Sequence, residues 1–349
     1  MIMQANPPPG PPIRPGDTRR RQAMRSLTRI AAGAVWAAGA LLCLHSLPAA
    51  ADWPDRPIKL IVPFAPGGSN DNLSRIIASK LGARLGQAVV VDNRGGAGGT
   101  IGTDMVAKAP PDGYTLLFAS TSIITNSVIG KSLPYDVTKD LAPVGEIGAG
   151  PFVVVVANSV KAATLHELID LARAAPKKIF YGSAGVGGIN HLGTELLASA
   201  AGIQLVHVPY KGISLAFTDL MANNLQMLLP SLSSAVPYIR EGRMRALAIT
   251  SDQRSPLAPE IPTASEAGLP GFRLDVWWGL MAPARTPPAV VKRLNEELNA
   301  IIGLPEVRDI LAREGAAARP GTPDQFGGLI KAELERWAAL VKSRQFQTE

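Results

Sequence analysis

Apolar residues in this chain fall into two alternating patterns, short continuous runs and longer stretches with helical spacing. Rich in β-branched residues, the runs "IKLIVPF" (58–64), "AVVVDN" (88–93), "YTLLFAS" (114–120) and "FVVVVAN" (152–158) predict buried strands. Between the first two, Leu73, Ile76, Ile77, Leu81 and Leu85 recur at helical spacing behind the cap cluster Ser69, Asn70 and Asp71. Strand, helix and strand in that order predict a βαβ unit. A helix near 164–174, the strand "KIFYGS", a helix from about His191 to Ala201, then "IQLVHVPY" and "RALAIT" continue the alternation, and the fold class is α/β. Near the end, "TPDQ" (322–325) has the form of a capping box with Pro at the first helical position. Phe326, Ile330, Leu334 and Trp337 follow it at helical spacing and predict a packed terminal helix.

Charge separates the first 51 residues from the rest. The chain has 349 residues and a formal charge of +7, and the early segment contributes six Arg and one Asp. The remainder is nearly neutral, and no Lys/Arg cluster follows Arg29. Binding to a phosphate backbone needs such clusters, so no nucleic-acid partner is expected. Arg25 and Arg29 precede an apolar run from Ile30 to Leu44, and the small residues Ala49, Ala50 and Ala51 come after it. Residues 1–51 are therefore expected to be an N-terminal extension and cleavable signal peptide, with the mature chain starting near Asp52 and exported to the periplasm. The apolar run is shorter than the roughly 20 residues that span a bilayer, which disfavours an uncleaved anchor. Met1 and Met24 both remain possible starts, and "RRR" (19–21) leaves a twin-arginine route open beside the general secretory one. The one cysteine, Cys43, lies in the leader, so no disulfide is expected, and Leu42 before it disfavours a lipid anchor.

Several chemistries are excluded by spacing. "VVVDNRGGAGGTIG" runs from a strand into glycines, but a dinucleotide fingerprint beginning at Gly96 requires Gly where Ile101 stands. "GKS" (130–132) lacks the upstream Gly of a phosphate loop and reads as a turn. Ser183, His191 and His207 are candidates for nucleophilic chemistry, but no G-x-S-x-G surrounds Ser183. His166, His191 and His207 form no i, i+4 pair, so neither a metal nor a cofactor is expected.

Two junctions do point to a ligand. "PFAPGGSNDNL" and "YGSAGVGGINHL" each end a strand in Gly and small polar residues where a helix begins. The first turn of a helix carries unsatisfied N–H groups and partial positive charge, which can hold a carboxylate without Lys or Arg. The alternative is that Ser69, Asn70 and Asp71 only cap their helix.

The fragments "WPDRPIKLIVPFAPGGSND", "LGQAVVVDNRGGAGGTIG", "AKAPPDGYTLLFAS", "LPYDVTKDLAPV", "HVPYKG", "RALAIT" and "IPTASEAGLPGF", in this order, resemble the tripartite tricarboxylate transporter substrate-binding family, the Bug-type periplasmic receptors. The resemblance runs from about Trp53 to Lys342. It implies a monomeric, two-lobed periplasmic-binding-protein fold (type II), each lobe a sheet flanked by helices. Lobe 1 would comprise residues 52–152 and 276–349 and lobe 2 residues 153–275. The implied function is to bind a small organic acid, a mono- or dicarboxylate, between the lobes and deliver it to membrane permease subunits, with no catalysis. On lobe 1 the resemblance places Phe64, Pro66, Gly67, Gly68, Ser69, Asn70 and Asp71 at the cleft, with Ser120, Thr121 and Thr125 nearby. On lobe 2 it places the Ser183–His191 loop, including Gly187, Asn190 and His191, with Pro209 and Tyr210 as a wall. A ligand sensor for a two-component system and an exported enzyme are the rival readings.

The chain departs from the family where "GVGGIN" precedes His191 and a hydroxyl is lost, a gap that Asn190 either fills or leaves while capping the helix. Ile213 and Ser214 stand where the family tends to have Gly and Ala, and they are expected to narrow the pocket or make it more apolar. Capping competes with ligand binding for Asp71, as does an exposed turn for Lys211 and core packing for Trp277 and Trp278.

Overall fold

A computed structural model describes residues 6, 8–12, 53–129, 132–313 and 315–344. The leader, Cys43, both candidate starts, Gly130 and Lys131 lie outside the described residues. The chain from Pro54 onward is one compact unit.

This unit contains two sheets. In the first, β1 (Ile58–Val62) pairs in parallel with β2 (Val89–Asn93) and β3 (Thr115–Ser120). The long strand β4 (Leu141–Pro151) joins them through β10 (Asp275–Pro283), which is antiparallel to both β3 and β4, and β11 (Ala317–Ala318) closes the far edge. In the second, β6 (Phe180–Ser183) lies parallel to β7 (Val206–Pro209) and β8 (Met227–Leu228). There β5 (Val153–Val156) runs antiparallel to β8 and to β9 (Arg245–Ile249). The chain passes from the first sheet to the second at Phe152 and returns between Ile249 and Asp275. Thr250 ties these passages together: its Oγ1 accepts from the Phe152 N–H at 2.8 Å and donates to the Leu274 carbonyl.

Ten helices flank the sheets among the described residues: α1 (Ser69–Leu85), α2 (Thr100–Ala107), α3 (Ser122–Val128), α4 (Leu165–Ala174), α5 (Ile189–Ala201), α6 (Ile213–Met221), α7 (Leu232–Arg240), α8 (Pro288–Gly303), α9 (Pro305–Arg313) and α10 (Pro323–Arg344). None is long and apolar enough to cross a membrane. The first predicted strand and helix form as the pattern requires. Ile58, Leu60, Ile61 and Val62 are buried, as expected of a strand covered on both faces, and Leu73, Ile77 and Leu81 point inward from α1. The predicted capping box also forms, with Gln325 N donating to Thr322 Oγ1 at 3.2 Å and Thr322 N to Gln325 Oε1 at 2.8 Å. It starts α10, which buries Phe326, Ile330 and Trp337 and packs on β4 and α3.

Two strands that hydrophobic patterning does not reveal are β4 and β10. β4 carries Gly145, Gly148 and Gly150, residues that weaken a strand taken alone. Close approach explains them: a Cβ at Gly148 would lie 2.5 Å from the Ala317 carbonyl, and one at Gly145 would lie 3.0 Å from Asn295 and Leu298. On β10, a Cβ at Gly279 would lie 2.3 Å from the Phe326 ring. Trp277 and Trp278 on the same strand are buried, which makes them core residues.

Candidate ligand-binding site

A cavity lies between the ends of the two sheets. From the segments of the first sheet come Phe64, Gly68, Ser69, Asn70, Ser120 and Val276. Phe152, Ala184, Asn190, Ile213 and Ser231 close it from the other side. Its volume of about 30 Å³ holds a water or two, and hydrogen bonds tie its walls together. Ser231 Oγ donates to Ser69 Oγ at 3.1 Å, the Ile189 N–H to Ser122 Oγ at 3.1 Å, Ser214 Oγ to the Pro66 carbonyl at 2.7 Å, and the Ala65 N–H to the Lys211 carbonyl at 3.2 Å.

Helix starts dominate this cavity. α1, α5, α6 and α7 all begin at it, through Ser69, Ile189, Ile213 and the N-cap Ser231. None of the four is capped by the side chain of its own N-cap residue, although Ser122 Oγ accepts the Ile189 N–H at the start of α5. Each helix contributes partial positive charge there, and none of the described residues lining the cavity is charged. The arrangement can hold an anion with backbone dipoles and hydroxyls alone.

A second polar cluster lies behind the lobe-2 wall. Ser183 Oγ is 2.6 Å from His207 Nε2 and accepts the Gly185 N–H at 3.0 Å. His191 stacks on His207 with ring centroids 4.0 Å apart, and its Nδ1 accepts the Gly187 N–H at 3.2 Å. Tyr181, opposite His207 in the β6–β7 register, donates to Glu195 at 2.5 Å. Burial, reinforced by repulsion from His191, holds the His207 imidazole down at about 3, so it is neutral near pH 7. Burial likewise raises the Tyr181 phenol and the Glu195 carboxyl.

A family model described as "Tripartite tricarboxylate transporter family receptor" matches residues 73–346. The chain belongs to this receptor family. It is 40% identical to Protein BugT of Bordetella pertussis (strain Tohama I) over 298 residues, covering 84% of this chain and 91% of BugT. Among solved structures it is similar to R. palustris Rpa4515 with adipate, with 35% identity, a TM-score of 0.82, and coverage of 84% of this chain and 99% of that one. It is also similar to MatC from Rhodopseudomonas palustris with bound malate, with 31% identity, a TM-score of 0.80, and coverage of 83% and 100%. These relatives are solute-binding proteins with a two-lobed α/β fold, the architecture seen here, and not enzymes. Ser183 fits that conclusion, because it is fully buried beside His207 and away from the cavity.

The expected receptor residues divide into two groups. Phe64, Gly68, Ser69, Asn70, Ser120 and Asn190 line the cavity, whereas Pro66, Gly67, Asp71, Thr121, Thr125, Ser183, Gly187, His191, Pro209 and Tyr210 do not. Asp71 is buried in the first turn of α1, where it pairs with Arg75 at 2.9 Å and accepts the Gly67 N–H at 3.0 Å. Burial alone would raise its carboxyl, but the bonds from Arg75, Gly67 and Asn93 outweigh that and hold it low. Thr121 Oγ1 accepts the Trp277 N–H, and Thr125 Oγ1 donates to the Ser122 carbonyl. Tyr210 donates to Asp219 on α6 at 2.5 Å, and burial followed by that carboxylate pushes its phenol up to about 12. Gly187 fits its place because a Cβ there would lie 2.3 Å from Asn126 Oδ1. Asn190 faces the cavity but also donates to the Leu229 carbonyl at 2.7 Å. Lys211 is exposed, and only its carbonyl meets the other lobe.

Ile213 lines the cavity, and its Cγ2 is 3.2 Å from where a Cβ on Gly68 would sit. Sequence reasoning misses Ala65, Ser122, Phe152, Ser231 and Val276. Ser231 carries the same signal as the two junctions that were recognised, because "LLPSLSSAV" also ends a strand in small polar residues before a helix. Phe152 is concealed in the apolar run "FVVVVAN".

Proposed function

We propose that the protein is an extracytoplasmic receptor that binds a small organic carboxylate between two lobes and delivers it to membrane permease subunits of a tripartite tricarboxylate-type transporter. The observation that carries this reading is the convergence of four helix starts on a cavity without a charged lining residue. Fixed N–H groups and hydroxyls select an anion, and the missing lysine or arginine leaves the ligand free to depart when the lobes separate. Adipate in Rpa4515 and malate in MatC support a carboxylate as the ligand of this chain too.

In this reading residues 52–152 and 276–349 form one moving lobe and residues 153–275 the other, with Phe152, Thr250 and Leu274 at the hinge. Ligand bridging the lobes favours the form in which the two walls meet. Export to the periplasm follows from the predicted leader and from membership of a periplasmic family.

Thermal unfolding of the purified protein, freed of co-purified ligand by unfolding and refolding, tests the proposal against a panel of mono-, di- and tricarboxylates. Ligand at 100 times its dissociation constant adds about 2.7 kcal/mol and raises the midpoint by roughly 4–5 °C. A selective rise with one class of acid is the expected outcome, and no rise across the panel refutes the carboxylate reading.

A further inference from the structure

We infer that His191 is a positioning residue whose unprotonated Nδ1 sets the shape of the lobe-2 loop that meets lobe 1, so that ligand is held at neutral pH and released as this imidazole takes up a proton. The inference rests on the carboxylate-receptor reading and adds proton-linked release to it. The loop 184–188 meets the other lobe through its backbone. A Cβ at Gly185 would lie 2.5 Å from Gly98 N, one at Gly98 would lie 2.5 Å from the Val186 carbonyl, and one at Gly187 would lie 2.3 Å from Asn126 Oδ1. Contacts this close tolerate little change in the loop. Two side chains behind it hold its shape: Ser183 Oγ accepts the Gly185 N–H at 3.0 Å, and His191 Nδ1 accepts the Gly187 N–H at 3.2 Å.

The two anchors differ in chemistry. A serine hydroxyl accepts at any ordinary pH, whereas an imidazole nitrogen accepts only while it carries no proton. A proton on Nδ1 would set one donor against another, and the Gly187 N–H would lose its partner. The titratable groups around His191 are Tyr181 on β6, His207 on β7 and Glu195, four residues further along α5. The helix α3, which packs on α5, contributes none. His207 stacks on His191 but is held at about 3, so it stays neutral in mildly acidic solution. Burial raises both the Tyr181 phenol and the Glu195 carboxyl, which leaves Glu195 as the rival group to test.

Calorimetric titration between pH 8 and pH 5.5, with adipate, malate and the other acids of the thermal panel, tests the inference. The affinity of the unmodified protein should fall by about tenfold more than that of His191→Asn, the worth of one hydrogen bond. That variant sets an amide oxygen near the place of Nδ1 and has no proton to gain, so it retains only the fall due to protonation of the ligand itself. Glu195→Gln and His207→Gln should keep the full fall. Heats of binding at pH 6.5 in two buffers of different ionisation enthalpy give a second reading that needs no variant, and they should show a net release of protons. Coincident profiles for the unmodified protein and His191→Asn, loss of the dependence in Glu195→Gln, or binding without proton release overturns the inference and leaves the receptor reading standing. Failure of every carboxylate to bind at pH 8 overturns both.

Discussion

The two walls of the cavity are built differently although their sequences look alike. On the first, the start of α1 presents Gly68, Ser69 and Asn70 directly to the cavity. On the second, the polar residues of the loop before α5 turn away from it. Ser183, His191 and His207 hydrogen-bond or stack among themselves and hold Gly185 and Gly187 by their backbones. That wall shows the cavity Ala184, Ile189 and Asn190 instead. The same motif of Gly and small polar residues at a strand end thus serves direct contact on one lobe and scaffolding of the backbone on the other.

Substitutions should separate these roles, and the largest effect is expected on the first wall. Gly68→Leu places a side chain where Ile213 already approaches to 3.2 Å, while the backbone of Gly68, with φ of −95°, accepts any residue. Binding measured by calorimetry should fall by about a hundredfold or more with the fold retained, as expected when a ligand's place is filled. Unchanged affinity would mean that the α1 junction is only a helix start.

Gly187→Ala comes next, because it combines a positive φ of 86° with a Cβ 2.3 Å from Asn126 Oδ1. It should destabilise the protein by about 1–3 kcal/mol in thermal unfolding and weaken binding, because the contact it disturbs joins the lobes. Ser183→Ala should act on stability more than on affinity. Loss of a fully buried hydroxyl that bonds His207 and Gly185 costs about 1–3 kcal/mol, with binding changed only about twofold. A larger loss of affinity than of stability would assign Ser183 to the ligand after all.

The pH dependence of stability tests the scaffold without mutation. His207 titrates near 3 when folded, below the ordinary value of about 6.5. The unfolded chain therefore binds a proton that the folded chain refuses. His207's contribution is complete above about pH 6.5 and is lost as pH falls towards 3. His207→Gln should flatten this part of the profile, and a profile identical to that of the unmodified protein would show that His207 is not the group concerned.

The unequal walls also explain how much was legible in the sequence. Buried strands such as β1 and β5 announce themselves through β-branched runs, and the α10 capping box was readable residue by residue. β4 and β10 were not, because their glycines are chosen for contact with Ala317, Asn295 and Phe326, partners far away in sequence. Helix starts at strand ends were recognised on both lobes, but the direction of each polar side chain was not. Whether Ser183 faces the cavity or His207 depends on the pairing of β6 with β7, which no local pattern encodes.

The central claim is that helix starts around a cavity without charged lining residues hold a carboxylate anion, and its most direct test is calorimetric titration of the protein with a bound acid and with the corresponding amide on the same carbon skeleton. The account predicts that the amide binds more weakly by about a hundredfold, the difference between a charge-assisted and a neutral set of hydrogen bonds. Equal affinity for acid and amide would contradict it.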